Sequence, residues 1–342
     1  MVIWLISYTA RGRALAARVA DILKDSGHDC RTFALPKFCG EGDEPLTLSA
    51  VDWAEAGFAE ADALIFCCAL GIAVRAIAPH VRDKRTDPAV LVLDEGGTFV
   101  IPLLSGHLGG ANALAEELAA KLLATPVLTT ATDVNGLFAV DVFAKNNDLF
   151  IEDMALAKAV SAALLAGETV GFRSDLPVEG SLPKGLTPGE AGLGILVSPS
   201  DEKPFFRTLR LIPRRYAVGL GCRRGKSESE LEAFLMENLE KHGVGLREVK
   251  ALASIDIKRD EPGLVVLAKE LGLPFVTYSA EELKRAPGEF TLSAFVQGVT
   301  GVDSVCERAA VLASGGTLMV RKVAENGMTF ALAKKEEGIR FE

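Results

Sequence analysis

An α/β fold, with N-terminal and C-terminal domains of mostly parallel or mixed sheet joined by a smaller middle region, is what these 342 residues predict. Three observations point to it. Strand and helix patterns alternate through the first third, and continuous apolar runs mark strands buried on both faces. The pattern then breaks near Thr129 and resets at Arg215. A chain of this length is expected to hold two or three domains, here placed at 1–130, 131–214 and 215–342.

Val2–Ser7 reads as an apolar strand, and Arg13–Lys24 as a helix with Leu15, Val19, Ile22 and Leu23 on one face. Ala63–Ala69 is a buried parallel strand, and Val90–Leu93 with Phe99–Leu103 flanks Asp94-Glu95-Gly96-Gly97 as a hairpin. A helix over Leu114–Leu123 leads to Pro126–Thr130. Alternating strands and helices place ligands beyond the strands' C-terminal ends. Ala155–Ala166 is an alanine-rich helix, followed by short strands at Leu193–Val197 and Thr208–Ile212 in a segment punctuated by Pro and Gly. Tyr216–Leu220 opens the last domain. Ser227 with Glu230 and Ser279 with Glu282 are capping boxes, and Pro262 suits a first helical position. Asn326-Gly327 joins Leu318–Val323 to Met328–Ala333 as a hairpin.

A net charge of −9 argues against wholesale binding to nucleic acid or an anionic membrane, so an anionic ligand must be met by local basic loops. No apolar run reaches the roughly 18–20 residues of a membrane span. The N-terminus reads as a first strand and helix rather than a signal segment, and a cytoplasmic location is expected. Six cysteines form no CxxC pair and read as buried reduced thiols, and four scattered histidines give no zinc pattern.

Gly71–Asn112 holds the densest chemistry. It collects Arg75, Arg82, Lys84, Arg85, Asp83 and Asp87, then Ser105-Gly106-His107-Leu108-Gly109-Gly110-Ala111-Asn112 at the start of a helix. A helix N-terminus offers unpaired amides and partial positive charge, and glycines admit a ligand to the backbone. The basic cluster is either an anion clamp or a solvated loop with surface ion pairs. His107 is either a neutral base, its pKa depressed by the helix end, or a structural turn residue. Gly219-Leu220-Gly221-Cys222-Arg223-Arg224-Gly225 has GxGxxxG spacing and no acidic residue closing a second strand, so a dinucleotide cofactor is not expected. It reads as a carboxylate or phosphate loop, or as solvated turn charges. If Ala251–Ile257 is extended, Ser254, Asp256 and Lys258 share one face. Asp260 is the expected cap of the helix at Pro262, with Glu261 beside it. Cys306 stands near a helix start but reads better as a small core residue. Asp133 and Asn135 form a polar pair or only an Asx-turn.

GIAVRAIAPHVRDKRTDPAVLVLDEGG, LLSGHLGGAN and TTATDVNGLFAVDVFAK, then GLGCRRG, ALASIDIKRDEPGL, YSAEEL and GVDSVCERAA, resemble the CbiG family of cobalamin-biosynthesis proteins, the cobalt-precorrin 5A hydrolases, in the family's order over most of the chain. The resemblance implies a polycarboxylate cobalt-tetrapyrrole substrate whose δ-lactone is opened and whose two-carbon fragment leaves as acetaldehyde. It implies no protein-bound cofactor, the cobalt being carried by the substrate. That chemistry asks for a base, oxyanion donors and cations. His107 is the expected base, assisted by Asp87 or Glu261, with oxyanion donors on the Gly106, Gly109 and Gly110 backbone. Arg75, Lys84, Arg223 and Lys258 are expected to hold carboxylates. Ser105, Asn112, Asp133, Asn135 and Ser254 complete the polar lining. Two other functions stay open: a non-catalytic carrier of tetrapyrrole intermediates, and an α/β enzyme acting on a phosphorylated metabolite.

Overall fold

The computed structural model describes residues 1–83, 86–107, 109–292, 297–298, 300–336 and 338–341, with only the backbone of Asp133. Lys84 and the Asp133 side chain thus lie outside the described residues. The chain forms two compact units, Met1–Val142 and Phe143–Glu342.

The first unit is built on a seven-stranded sheet. Its strands are Val2–Ser7 (β1), Asp29–Ala34 (β2), Asp43–Pro45 (β3), Ala63–Cys67 (β4), Ala89–Leu93 (β5), Phe99–Leu104 (β6) and Thr125–Pro126 (β7). The order is β3-β2-β1-β4-β5-β6-β7, and β5–β6 is the antiparallel pair. Side chains alternate along a strand, so each central strand feeds two cores. Ile3, Leu5, Ile65 and Leu91 face the helices Ala10–Asp25 (α1) and Ala111–Leu122 (α4). Trp4, Ile6, Phe66 and Val92 face Ala50–Glu60 (α2) and Leu70–Ile77 (α3). This is why β1, β4 and β5 read as continuous apolar runs. Cys67 and Cys68 are both buried, and burial pushes the Cys68 thiol up to about 12.

Short helices Ala131–Val134 (α5) and Val140–Asn146 (α6) follow. The second unit carries two five-stranded sheets. One orders Leu186–Thr187 (β11), Val170–Ser174 (β9), Leu193–Val197 (β12), Arg207–Pro213 (β13) and Leu149–Ile151 (β8), with the helix Met154–Leu165 (α7) packed on it. The other orders Phe275–Tyr278 (β16), Val249–Ile255 (β15), Tyr216–Cys222 (β14), Met328–Lys334 (β18) and Thr317–Glu325 (β17). Val218 and Leu220 face Glu228–Lys241 (α8) and Pro262–Glu270 (α9). Val305–Ser314, taken here as α11 after Ala280–Lys284 (α10), packs on the other side. It sits so close that a Cβ on Gly219 would lie 1.8 Å from the Cys306 carbonyl oxygen. Both predicted capping boxes form, at Ser227 with Glu230 and Ser279 with Glu282. The last strand, Ile339–Arg340 (β19), returns to pair in parallel with Val178–Glu179 (β10).

Cys306 is a core residue, as the bland reading expected: burial raises its thiol to about 11, against the pull of the helix start. Among the described residues, no helix is long and apolar enough to cross a membrane.

Candidate functional site

Most of the predicted residues gather around two loops, one in each unit. In the first unit β6 runs antiparallel to β5, with Leu104 opposite Val90 and Val100 opposite Leu93. The chain therefore leaves β6 at the edge where β1, β4 and β5 begin. The rule that ligands lie beyond the C-terminal ends of parallel strands, applied here, pointed to the other edge. The antiparallel return of β6 overturns that expectation for the motif-rich loop. Arg75 does not join this loop. Its Nη1 donates to Gly71 O at 3.1 Å, folding the head back to the start of α3, where β4 ends.

Ser105 has a left-handed backbone (φ 56°) and is buried, and its hydroxyl donates to Asp87 O at 3.0 Å. The Asp87 carboxylate accepts from Arg82 N–H at 2.9 Å. The basic loop and the glycine loop are thus tied together through backbone groups. Two glycines are demanded by close approach: a Cβ on Gly109 would lie 2.3 Å from Ser105 Cβ, and one on Gly106 would lie 2.6 Å from Asn112 Oδ1. The start of α4 does not present its amides to a ligand as expected. Gly110, Ala111 and Asn112 N–H groups donate to the carbonyls of His107, Ser105 and Gly106 at 3.0, 3.1 and 3.0 Å. The tight turn closes on itself because those carbonyls point back at the helix start.

His107 is half-buried on this turn. Its Nδ1 lies 3.4 Å from Asp141 Oδ2, and its Nε2 lies 3.3 Å from Thr132 Oγ1. Thr132 and Asp141 are buried. Nearby, Asn112 Nδ2 donates to Thr130 Oγ1 at 3.0 Å. Among the described side chains of this unit, the carboxylate beside His107 is therefore Asp141 rather than Asp87. Its signal was a second aspartate in the segment that already held Asp133, brought round by the turn between α5 and α6. A carboxylate on Nδ1 fixes ring orientation and tautomer and leaves Nε2 for chemistry. Asn135 is exposed and donates to Ala131 O at 2.7 Å, closing the single turn of α5.

In the second unit a cavity of about 710 Å³ opens where α8 and α9 begin, lined by Arg224, Lys226, Ser227, Asp260, Glu261 and Gly263 among others. Glu261 organises it. Its carboxylate accepts from Lys258 Nζ at 2.6 Å and from Gly225 N–H at 3.0 Å. The Lys258 bond first, and the Gly225 amide second, hold Glu261 below the usual carboxylate range. With both oxygens occupied and its proton affinity lowered, Glu261 is a strut between loop and helix rather than a base.

Three further expectations change in this unit. Asp260 is exposed, and Glu261 takes the N-cap position of α9 without a side-chain cap bond. β15 ends at Ile255, and Asp256–Lys258 forms a 3₁₀ turn, so Ser254, Asp256 and Lys258 share no strand face. Ser254 is fully buried and donates to Leu220 O at 2.7 Å, which stitches β15 to β14. Arg223 keeps an exposed side chain while its N–H donates to Gly327 O at 2.8 Å. Among the described residues, no three His, Cys, Asp or Glu side chains are grouped to hold a metal ion.

Fold and site together define an α/β protein with a histidine–carboxylate pair on a glycine turn and a second, carboxylate-braced glycine loop. The chain belongs to the cobalamin synthesis G family: residues 52–133 match its N-terminal region, 138–213 the cobalamin biosynthesis central region and 216–333 its C-terminal region. A Salmonella typhimurium protein named cobalt-precorrin-5A hydrolase is 38% identical, covering 96% of this chain and 96% of its own length. A Priestia megaterium protein of the same name is 36% identical over 79% of this chain and 78% of its own. A Methanocaldococcus jannaschii protein named a probable cobalt-precorrin-5A hydrolase is 28% identical over 97% and 99%.

Proposed function

We infer that the chain is a cobalt-precorrin-5A hydrolase of cobalamin synthesis, with His107 as its base. The observation that supports this reading best is the pairing of His107 with Asp141 inside segments that carry the family likeness. Asp141 accepts a hydrogen bond from Nδ1–H and leaves the Nε2 lone pair to take a proton from water. The water oxygen bonds to the lactone carbonyl carbon, the ring C–O bond breaks, and the departing oxygen collects the proton. The freed hydroxyl then loses its proton. Its carbon becomes the carbonyl of acetaldehyde as the C–C bond breaks, with the electron pair passing into the conjugated macrocycle, which is protonated in turn. One water is consumed and one acetaldehyde released. The cobalt comes with the substrate. Arg223, exposed on its loop, is the cation proposed for a substrate carboxylate, whereas Lys258 is already paired with Glu261.

The test is anaerobic incubation with the lactone-bearing cobalt-precorrin, trapping acetaldehyde. Product proportional to protein supports the hydrolase. Tight macrocycle binding without product supports a carrier. Displacement of ligand by phosphate supports an enzyme of phosphorylated metabolites. A second catalytic route is favoured by one contact: Thr132 Oγ1 sits against Nε2, so the hydroxyl itself can be the nucleophile, forming an acyl-threonine that water then cleaves. Thr132→Ser retaining activity while Thr132→Val matches the loss in His107→Ala supports that route. Full activity in Thr132→Val removes it.

A further inference from the structure

A separate cavity of about 310 Å³ lies in the second unit, and no residue of that unit's glycine loop lines it. Four chain segments supply its charged residues: the turn after α6 Asp148, the β13–β14 connection Arg214 and Arg215, β15 Lys250, and the returning C-terminal segment Lys335 and Arg340. Among the described residues, five basic side chains and one carboxylate line it, in a chain whose net charge is −9. That carboxylate is partly matched, since Lys250 Nζ lies 3.1 Å from Asp148 Oδ2.

The two arginines carry the argument. Arg214 Nε and Arg215 Nη2 are buried and have no hydrogen-bond partner among the described residues. A buried guanidinium N–H without an acceptor is costly, and two in adjacent residues facing a common cavity ask for a shared acceptor. Arg214 stacks on Phe150, its guanidinium carbon 5.1 Å from the ring centre, which presents its donors in a fixed plane. Glu336 approaches Arg215 Nη1 only at 3.9 Å and pairs more closely with Lys334 at 2.6 Å. One rim of the cavity is tied by a pair of hydrogen bonds. Arg340 N–H donates to Asn147 Oδ1 at 2.8 Å, and Asn147 Nδ2 donates to Arg340 O at 3.1 Å, so the chain end is pinned to its rim. Burial disfavours the charge on Arg214, with the field of Asp148 as the offset, and an added anion would relieve it.

We propose that this cavity binds a small carboxylate anion, presented either by a free di- or tricarboxylate or by a carboxylate arm of the tetrapyrrole. Planar guanidinium forks match carboxylate geometry in two-point contact, and a site of this volume suits a small ligand or one arm of a large one. The second source rests on the hydrolase reading; the first does not.

Citrate binding to the full chain, measured by calorimetry at low ionic strength, is the direct test. Saturable one-to-one binding is expected, weakened about tenfold or more in Arg215→Gln and in Arg340→Gln, whose thermal unfolding reports on folding separately. Lys241→Gln, an equal loss of charge on α8, should bind citrate as before. Absence of saturable binding, or binding unaltered in both arginine variants, overturns the proposal. Competition resolves the source. If citrate competes with the cobalt-precorrin, and Arg215→Gln raises KM with kcat kept, the arm occupies the site. Citrate binding without competition assigns it to a free carboxylate, whether or not acetaldehyde is formed.

Discussion

The two glycine-rich strand-to-helix loops, Ser105–Asn112 and Gly219–Lys226, look alike as sequence and differ in what their backbone does. In the first, the amides of Gly110, Ala111 and Asn112 fold back onto the loop's own carbonyls, and the chemistry is left to side chains, His107 with Asp141 and Thr132. In the second, Gly225 N–H is taken by a carboxylate from 36 residues away, Glu261, and the glycines serve packing: Gly219 lets α11 approach, and a Cβ on Gly221 would lie 2.6 Å from Thr329 Oγ1. Glycines before a helix are therefore no measure of an anion cradle. Where the amides go decides it. One loop holds a histidine on a self-bonded turn, and the other is a braced joint between two helices.

The sharpest way to break this contrast is to remove the histidine pair. His107→Ala should lower kcat by about 10²–10⁴-fold with folding kept, the range for loss of a general base. Asp141→Asn should follow it, since the ring loses the group that orients it. Acetaldehyde release at the wild-type rate in both variants would return the loop to a structural role. Glu261→Gln should by contrast leave kcat within a few-fold and act on stability, by about 1.5–3 kcal/mol for loss of charged hydrogen bonds, read from urea midpoints. A large kcat loss without destabilisation would make Glu261 a reacting group after all.

Next in size are the glycines. Gly109→Ala and Gly263→Ala should each destabilise by about 1–3 kcal/mol through overpacking, because the new methyl would meet Ser105 Cβ at 2.3 Å and Lys226 O at 2.3 Å respectively. Gly225→Ala is a control with open space but a left-handed backbone (φ +80°), and should cost less, about 1 kcal/mol. Equal effects at all three positions would argue that backbone freedom, not close packing, placed these residues.

The second unit also has a defined acid response. Glu307 is fully buried, which by itself raises its pKa, yet bonds from Lys322 N–H, Thr291 N–H, the Thr291 hydroxyl and Ser304 outweigh this and hold it below the usual carboxylate range. Glu261 shifts the same way. A depressed carboxylate stabilises the fold above its unfolded pKa, about 4.3, and that stability is lost as pH falls through the folded value. Circular dichroism below about pH 4.5 should show the second unit loosening, and Glu307→Gln should flatten that dependence. The smallest effect expected is at Cys306, whose thiol at about 11 stays protonated near neutrality, so that alkylation at pH 8 should be slow until the protein unfolds.

Much of this molecule was legible in the chain, for a definite reason. β1, β4, β5, β12 and β14 announce themselves because each is buried on both faces, and both capping boxes are short-range bonds within four residues. The likeness that places the chain in its family is likewise a property of linear order. What the sequence could not settle is every partner set by distance along the chain. That His107 meets Asp141 rather than Asp87, that Ser254 stitches two strands, and that Glu261 reaches back to Gly225 follow from strand direction and helix packing. The antiparallel return of β6, by contrast, is the hairpin announced by Asp94-Glu95-Gly96-Gly97, and it sets the glycine turn at the edge where β5 begins. The basic cavity is the clearest case, because its charged residues come from four separated segments, the last of them held in place by the pairing of the C-terminal strand with β10. Local pattern determines which residues are helix, strand or cap, because those forces act over a few residues; hydrogen-bond partners and charge clusters depend on which distant surfaces the two cores bring together.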